Sequence, residues 1–168
     1  MPQPTTPSPT HLEGAPRHAV ITGASSGIGA AIAKQLAAAG GWRLSVGARR
    51  VERLDGLVEG AFAAPLDVTV PDSIDAFLQG ARDAHGPIDA LINNAGLARG
   101  VERVADADGE AWREMVETNV MGLMHVTRRV IPEMESRRSG HVLMIGSIAG
   151  RQPYANGSVY CATKRAVQ

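Results

Sequence analysis

The sequence predicts an α/β fold built on a doubly wound parallel sheet, with strand order 3-2-1-4-5. Three observations predict it. From His18 onward, short apolar runs alternate with stretches of helical spacing. Those stretches are long enough for right-handed crossovers, which leave successive strands parallel. The ends of the strands are also apolar, as in Val20-Ile21 and Leu143-Met144-Ile145, which is expected of strands covered on both faces.

The first sixteen residues stand apart. They hold four prolines within the first nine positions, mixed with Thr and Ser, and are read as a disordered tail over 1–16. The folded domain is expected over 17–168. Strand one is expected at 19–22 and a helix rich in Ala and Ile at 28–39, closed by Gly40-Gly41. Strand two is expected at 42–48, a helix at 51–59 and strand three at 61–66. Next comes a helix over 71–85, with Pro71 at its start and Gly86-Pro87 after its end, the usual order of these signals. Strand four is expected at 88–92. One long amphipathic helix follows over 110–138, and Pro132 marks where a break would fall. Strand five is expected at 141–146, and a last helix starts near Gly157.

Composition narrows the class. A chain of 168 residues matches one ordinary domain, and 44% hydrophobic residues can bury a core. Only 4% are aromatic, so Ala, Val, Ile and Leu carry the packing, with Trp42 and Trp112 as core or interface anchors. Seventeen basic and seventeen acidic residues balance, which argues against nucleic acid or an anionic membrane as partner. Cys161 is the single cysteine, so no internal disulfide framework exists, which suits a reducing compartment such as the cytosol. No run is long and apolar enough to span a bilayer, and the start lacks a secretory pattern. A cytoplasmic protein is expected. His11, His18, His85, His125 and His141 show no metal-ligand spacing, and no metal site is expected.

In a doubly wound sheet ligands bind beyond the carboxyl ends of the strands, so the segments after each strand matter most. After strand one comes Thr22-Gly23-Ala24-Ser25-Ser26-Gly27-Ile28-Gly29, running into a helix. Its glycines let the backbone turn sharply and approach a diphosphate. The helix start supplies free N–H groups and the positive end of a dipole, and Ser25 and Ser26 add hydroxyls. This is a dinucleotide cradle. After strand two an acid would bind a ribose 2′-hydroxyl; here Ala48 is followed by Arg49 and Arg50. Two guanidinium groups suit a 2′-phosphate, which favours NADP over NAD. Arg50 could equally pair with Glu52 or Glu59. Asp67, after strand three, reads on its own as a helix cap before Pro71.

The last section holds Ser147 directly after strand five, and Tyr160 and Lys164 at i, i+4 on a helix, hence on one face. Carbonyl reduction needs a hydride and a proton. A free tyrosine, with pKa about 10, is a poor base near neutrality, and a nearby ammonium favours its phenolate. Lys164 can also hydrogen-bond the nicotinamide ribose, and Ser147 can donate to a carbonyl oxygen and steady the developing oxyanion.

These motifs, TGxxxGxG, Asp67, Asn93-Asn94-Ala95-Gly96, Asn119, Ser147 and Tyr160/Lys164, occur in order, and from His18 to Gln168 the chain resembles the short-chain dehydrogenase/reductase family. The resemblance implies a Rossmann fold that binds NADP through Gly23, Ser25, Ser26, Gly27, Ile28, Gly29, Arg49, Arg50, Asp67, Val68, Asn94, Gly96, Tyr160 and Lys164. It implies that Asp67 bonds the adenine amino group, that Val68 supplies a backbone contact, and that the Asn-Asn-Ala-Gly turn holds the sheet and lines the site. It gives Asn119 a proton-relay water, and casts Asn119, Ser147, Tyr160 and Lys164 as the catalytic set acting on a small alcohol or carbonyl substrate.

A narrower resemblance, in Asn94-Ala-Gly-Leu-Ala-Arg-Gly100 and in 119–128 and 146–160, is to bacterial NADP-dependent 3-hydroxy acid (serine) dehydrogenases. Members of the family commonly form dimers or tetramers, so a homo-oligomer is expected. They also add a sixth strand, a substrate-covering loop and a seventh strand; this chain ends at Gln168 inside the Tyr/Lys helix and is expected to be C-terminally truncated. Three readings follow: part of an active oxidoreductase, a cofactor-binding remnant or interaction module with little turnover, or an oxidoreductase of another substrate class within the family, such as sugars, 3-oxoacyl thioesters or steroids.

Overall fold

The structure is a computed structural model that describes Gly14 and residues 16–168. Most of the tail expected over 1–16 lies outside the described residues. Five parallel strands, β1 (Arg17–Thr22), β2 (Trp42–Ala48), β3 (Phe62–Pro65), β4 (Ala90–Asn93) and β5 (His141–Met144), form one sheet in the order β3-β2-β1-β4-β5. This is the order expected from the alternation of strands and helices. The helices are α1 (Gly27–Ala39), α2 (Pro71–His85), α3 (Gly109–Val116), α4 (Leu123–Arg137) and α5 (Ser158–Ala166).

Side chains alternate along each strand, so the sheet has two buried faces. Ala19 and Ile21 of β1, with Leu44, Val46, Ala90 and Ile92, join Ala33 of α1 in one cluster. Val20 and Leu91 point the other way, into Ile74, Phe77 and Leu78 of α2 and Val126 and Val130 of α4. Each of these large apolar side chains, once buried, contributes about 1.5–3 kcal/mol. α2 has Pro at its first position and closes on Gly86 at φ 81°, a left-handed value that glycine takes without strain. Glu133 of α4 ties the layer together. It accepts from Arg82 of α2 at 2.7 Å and from the Ile88 N–H ahead of β4 at 3.2 Å.

Three expectations are corrected. Residues 51–59 form no α-helix: a 3₁₀ turn covers Val51–Arg53, and Gly56 and Gly60 then adopt φ 66° and 71°, which ends any helical path. The long helix is interrupted at a π-helical segment, Glu117–Gly122, and continues through Pro132. β5 is not covered on both faces. Leu143 and Met144 are 48% and 44% exposed, because β5 pairs only with β4 and forms a sheet edge among the described residues. Trp42 and Trp112 are half-buried; Trp42 lies beneath the Arg17 guanidinium, 4.1 Å from its ring centre.

At the amino ends of the strands, opposite the glycine loop, His18 is buried at 1% exposure. Its ring nitrogens lie 2.9 Å from the Gly86 carbonyl and 2.8 Å from the Ser45 hydroxyl. Burial pushes its pKa below the ordinary 6.5, and nearby His85 adds to the shift. Between that lowered value and 6.5 the unfolded chain binds a proton that the folded chain refuses. Stability is therefore full above 6.5 and is lost as pH falls through this window. Urea melts from about pH 7 to about pH 5 should show a falling unfolding free energy; a flat or rising profile contradicts the assignment.

Candidate active site

A cleft of about 640 Å³ opens beyond the carboxyl ends of the strands. That volume is in the range of small-molecule and cofactor sites. It is lined by Gly23, Ser25, Ser26 and Ile28 after β1, by Ala48, Arg49 and Arg50 after β2, and by Leu66, Asp67 and Val68 after β3. Asn94 to Ala98 follow β4, Ile145 and Gly146 follow β5, and Thr118, Tyr160 and Lys164 complete the wall. Twelve of the residues singled out in the sequence thus face one space. Gly27, Gly29, Asn119 and Ser147 are not among its lining residues.

The cradle is built by close backbone approach. Gly23 adopts φ 67°, and a Cβ there would sit 2.7 Å from the Ala95 Cα. Thr22 fastens the turn after β4 to it: its Oγ1 accepts from the Asn94 and Ala95 N–H groups at 3.1 and 3.0 Å. Asn94 Nδ2 donates to the carbonyls of Thr22 and Gly23, each at 3.0 Å. A Cβ on Gly29 would meet that same Nδ2 at 2.4 Å and the Gly23 carbonyl at 2.7 Å. Gly29→Ala should therefore cost about 1–3 kcal/mol of stability by overpacking and loosen the cradle; thermal unfolding reads it, and an unchanged midpoint contradicts the close fit. Ser26, the N-cap residue of α1, makes no side-chain cap bond, so the first N–H groups of α1 keep their donors for a ligand. Ile28, 60% exposed, lines the same space.

At the far end of the cleft, Arg50 spans the gap between β2 and the glycine loop. Its Nη2 donates to the Ser25 and Ser26 hydroxyls at 3.3 and 3.2 Å. These neutral partners, not Glu52 or Glu59, hold it. Arg49 Nη1 lies 3.7 Å from Glu114 Oε1. Asp67 is not the helix cap. Its Oδ1 accepts from the Thr69 N–H at 2.9 Å and hydroxyl at 2.7 Å, closing the turn, while Val70 stands at the cap of α2. Among the described residues no donor reaches its Oδ2.

At the near end, Tyr160 and Lys164 share one face of α5. Lys164 is 8% exposed, and its Nζ donates to the Ile145 carbonyl at 2.9 Å. Burial pushes its pKa below the ordinary range. An ammonium has three donors, and this contact uses one. Gly96 leaves the space in front of it: a Cβ there would stand 3.6 Å from Nζ. Tyr160 is half-buried, and its hydroxyl has no hydrogen bond among the described residues. Ser147 Oγ accepts from the Ala149 N–H at 3.2 Å, so its own hydrogen remains free to donate.

Asn119 sits in the π-helical segment, 2% exposed. Its side chain grips the loop after β4 from both sides, accepting from the Leu97 N–H and donating to the Leu97 carbonyl, each at 2.8 Å. It also donates to Thr163 Oγ1 at 3.1 Å, which joins the loop to α5 beside Lys164. Sequence reasoning gave no role to Thr163, and quoted Thr22 only as the first residue of the TGxxxGxG motif. Each precedes a recognised residue, Gly23 or Lys164, and only the long-range bonds reveal their part.

The model of the short chain dehydrogenase family matches residues 17–168. The NADP-dependent 3-hydroxy acid dehydrogenase YdfG of Salmonella typhi is 42% identical over 153 residues, covering 89% of this chain and 61% of that protein. The NADP-dependent 3-hydroxy acid dehydrogenase of Schizosaccharomyces pombe is 42% identical over 156 residues, 88% of this chain and 60% of that one. A serine dehydrogenase solved in closed form with NADP+ superposes with a TM-score of 0.83 at 40% identity, over 88% of this chain and 61% of that chain. The chain therefore spans about three fifths of the length of these relatives. With the matched residues covering the whole sheet and both ends of the cleft, the chain belongs to the short-chain dehydrogenase family.

Proposed function

We propose that the protein is an NADP(H)-dependent oxidoreductase acting at a hydroxyl or carbonyl carbon, with 3-hydroxy acids as the substrate class. One observation carries this: Tyr160 and Lys164 face the same cleft as the glycine loop and the Arg49–Arg50 pair. The cleft suits a dinucleotide, with close-packed glycines, unused N–H groups at the start of α1 and cationic forks at one end. Gly23, Ser25, Ser26, Ile28 and the start of α1 would hold the diphosphate, with Gly27 and Gly29 keeping the turn open. Arg49 and Arg50 would hold the 2′-phosphate, and Asp67 Oδ2 and the Val68 backbone the adenine. Asn94 and Gly96 would leave room for the nicotinamide ribose beside Lys164. When bound, the dinucleotide supplies or accepts the hydride.

The chain's own residues manage the proton. Tyr160 gives its hydroxyl proton to the carbonyl oxygen in reduction and recovers it in oxidation. The Lys164 ammonium stabilises the phenolate left behind. Ser147 donates its free hydrogen to the substrate oxygen. Asn119 sets the Leu97 loop against α5 and would hold a relay water from there. A complete catalytic set of this kind speaks for an enzyme rather than a binding remnant.

A stripe of exposed apolar residues, Val116, Met121, Met124 and Ile131, runs along the α3–α4 rod and supports self-association into a dimer or tetramer. The lone, buried Cys161 fits a cytoplasmic setting, and no helix among the described residues is long and apolar enough to cross a membrane.

The test is a rate comparison in the full-length protein. NADP+ reduction should be fastest with 3-hydroxy acids, and slower with sugars, simple secondary alcohols and 3-hydroxyacyl thioesters. Preference for one of the latter replaces the substrate class; no reduction with any of them removes the activity.

A further inference from the structure

We infer that Glu114 sets how tightly the site holds the 2′-phosphate, by competing for Arg49, and that Arg99 restrains this competition. The inference rests on the NADP reading above and adds two residues to it, one from α3 and one from the loop after β4.

The two cations at the end of β2 are held differently. Arg50 is bonded to two serine hydroxyls, which carry no charge. A phosphate arriving there meets an uncompensated cation. Arg49 already faces an anion, Glu114 Oε1, at 3.7 Å. The other oxygen of the same carboxylate, Oε2, is bonded to Arg99 Nη1. One carboxylate is thus shared by two guanidinium groups, closely by Arg99 and loosely by Arg49. Arg99 first, and Arg49 with it, hold the Glu114 carboxyl below the usual carboxylate range, so it stays ionised where the enzyme works.

The consequence is an exchange of partners. A 2′-phosphate that engages Arg49 displaces Glu114 and lies near its charge, so Glu114 lowers affinity for NADP(H) and leaves NAD(H), which lacks that phosphate, unaffected. Arg99 offsets the effect by neutralising the carboxylate and drawing it toward the β4 loop. Without Arg99, Glu114 has Arg49 as its remaining partner, and the phosphate competes against a firmer pair. The three side chains are 32–58% exposed, so the effects are modest and screened by salt.

The experiment is direct binding of NADPH and NADH to the full-length protein at low salt, by fluorescence titration, with no turnover required. Glu114→Gln should tighten NADPH about threefold and leave NADH unchanged. Arg99→Ala should weaken NADPH by a similar factor, and the double variant should match Glu114→Gln alone. NADPH affinity unchanged in Glu114→Gln, or NADH tightened equally, overturns the inference, as does an Arg99 effect that survives in the double variant. Arg49→Ala separates the two readings. If it costs NADPH affinity while Glu114→Gln is silent, only this inference fails. If it leaves the NADPH preference intact, Arg49 is not a phosphate ligand and the inference falls together with that part of the proposed site.

Discussion

Tyr160→Phe in the full-length protein should lower turnover by at least about a hundredfold, while NADPH binding stays within a few-fold of the parent. The separation follows from the site. Phenylalanine keeps the ring that half-fills the wall of the cleft and removes only the hydroxyl. That hydroxyl bonds to nothing among the described residues, so no buried partner is orphaned and the thermal midpoint should hold. What is lost is the group proposed to pass a proton to the carbonyl oxygen. Lys164→Met should behave differently, because Nζ also bonds the Ile145 carbonyl and faces the space left by Gly96. It should weaken cofactor binding and slow turnover together. Turnover of Tyr160→Phe within a few-fold of the parent sinks the catalytic assignment.

Much of this site was legible because its signals are local. The glycine loop, the Asn94 turn and the i, i+4 spacing of Tyr160 and Lys164 each lie within one strand–turn–helix or one helix. The edges of β2 and α2 were legible for the same reason: Trp42, Leu44, Val46 and Ala48 alternate with Arg43, Ser45 and Gly47 directly after Gly41, and Pro71 and Gly86 bracket a helix. What sequence reasoning missed is long-range. The partners of Arg50 lie 24 and 25 residues away on another loop, whereas Glu52 and Glu59 were near in sequence and had looked plausible. The π-helical segment at Glu117–Gly122 turns Asn119 toward Leu97, 22 residues earlier, and an amphipathic period does not report this. Pro132 drew attention as a breaker, yet the helix tolerates it. Val51 to Glu59 was expected as a helix, but Gly56 inside it takes positive φ, which ends the helical path. The exposure of Leu143 and Met144 could not be read from an apolar run, since cover depends on what pairs with β5.

The Arg49→Ala, Arg50→Ala double variant should weaken NADPH about tenfold to thirtyfold while NADH changes little. A charge-assisted hydrogen bond contributes about 1.5–3 kcal/mol, and two exposed guanidinium groups fall toward the low end of that range in sum. The asymmetry between the cofactors matters more than the size. Removing two cations could unsettle the cleft in general, since Arg50 also bridges β2 to Ser25 and Ser26. That damage would weaken NADH equally, because both cofactors carry the diphosphate that the same loop is proposed to hold. A loss confined to NADPH can come only from the group that distinguishes them, the 2′-phosphate. No acid stands at the end of β2 to favour a bare ribose instead: Ala48 occupies that place, 3% exposed. The loss should shrink as salt is raised, because it arises between exposed charges. Equal losses for NADPH and NADH would refute the phosphate role and reduce Arg50 to a strut for the glycine loop.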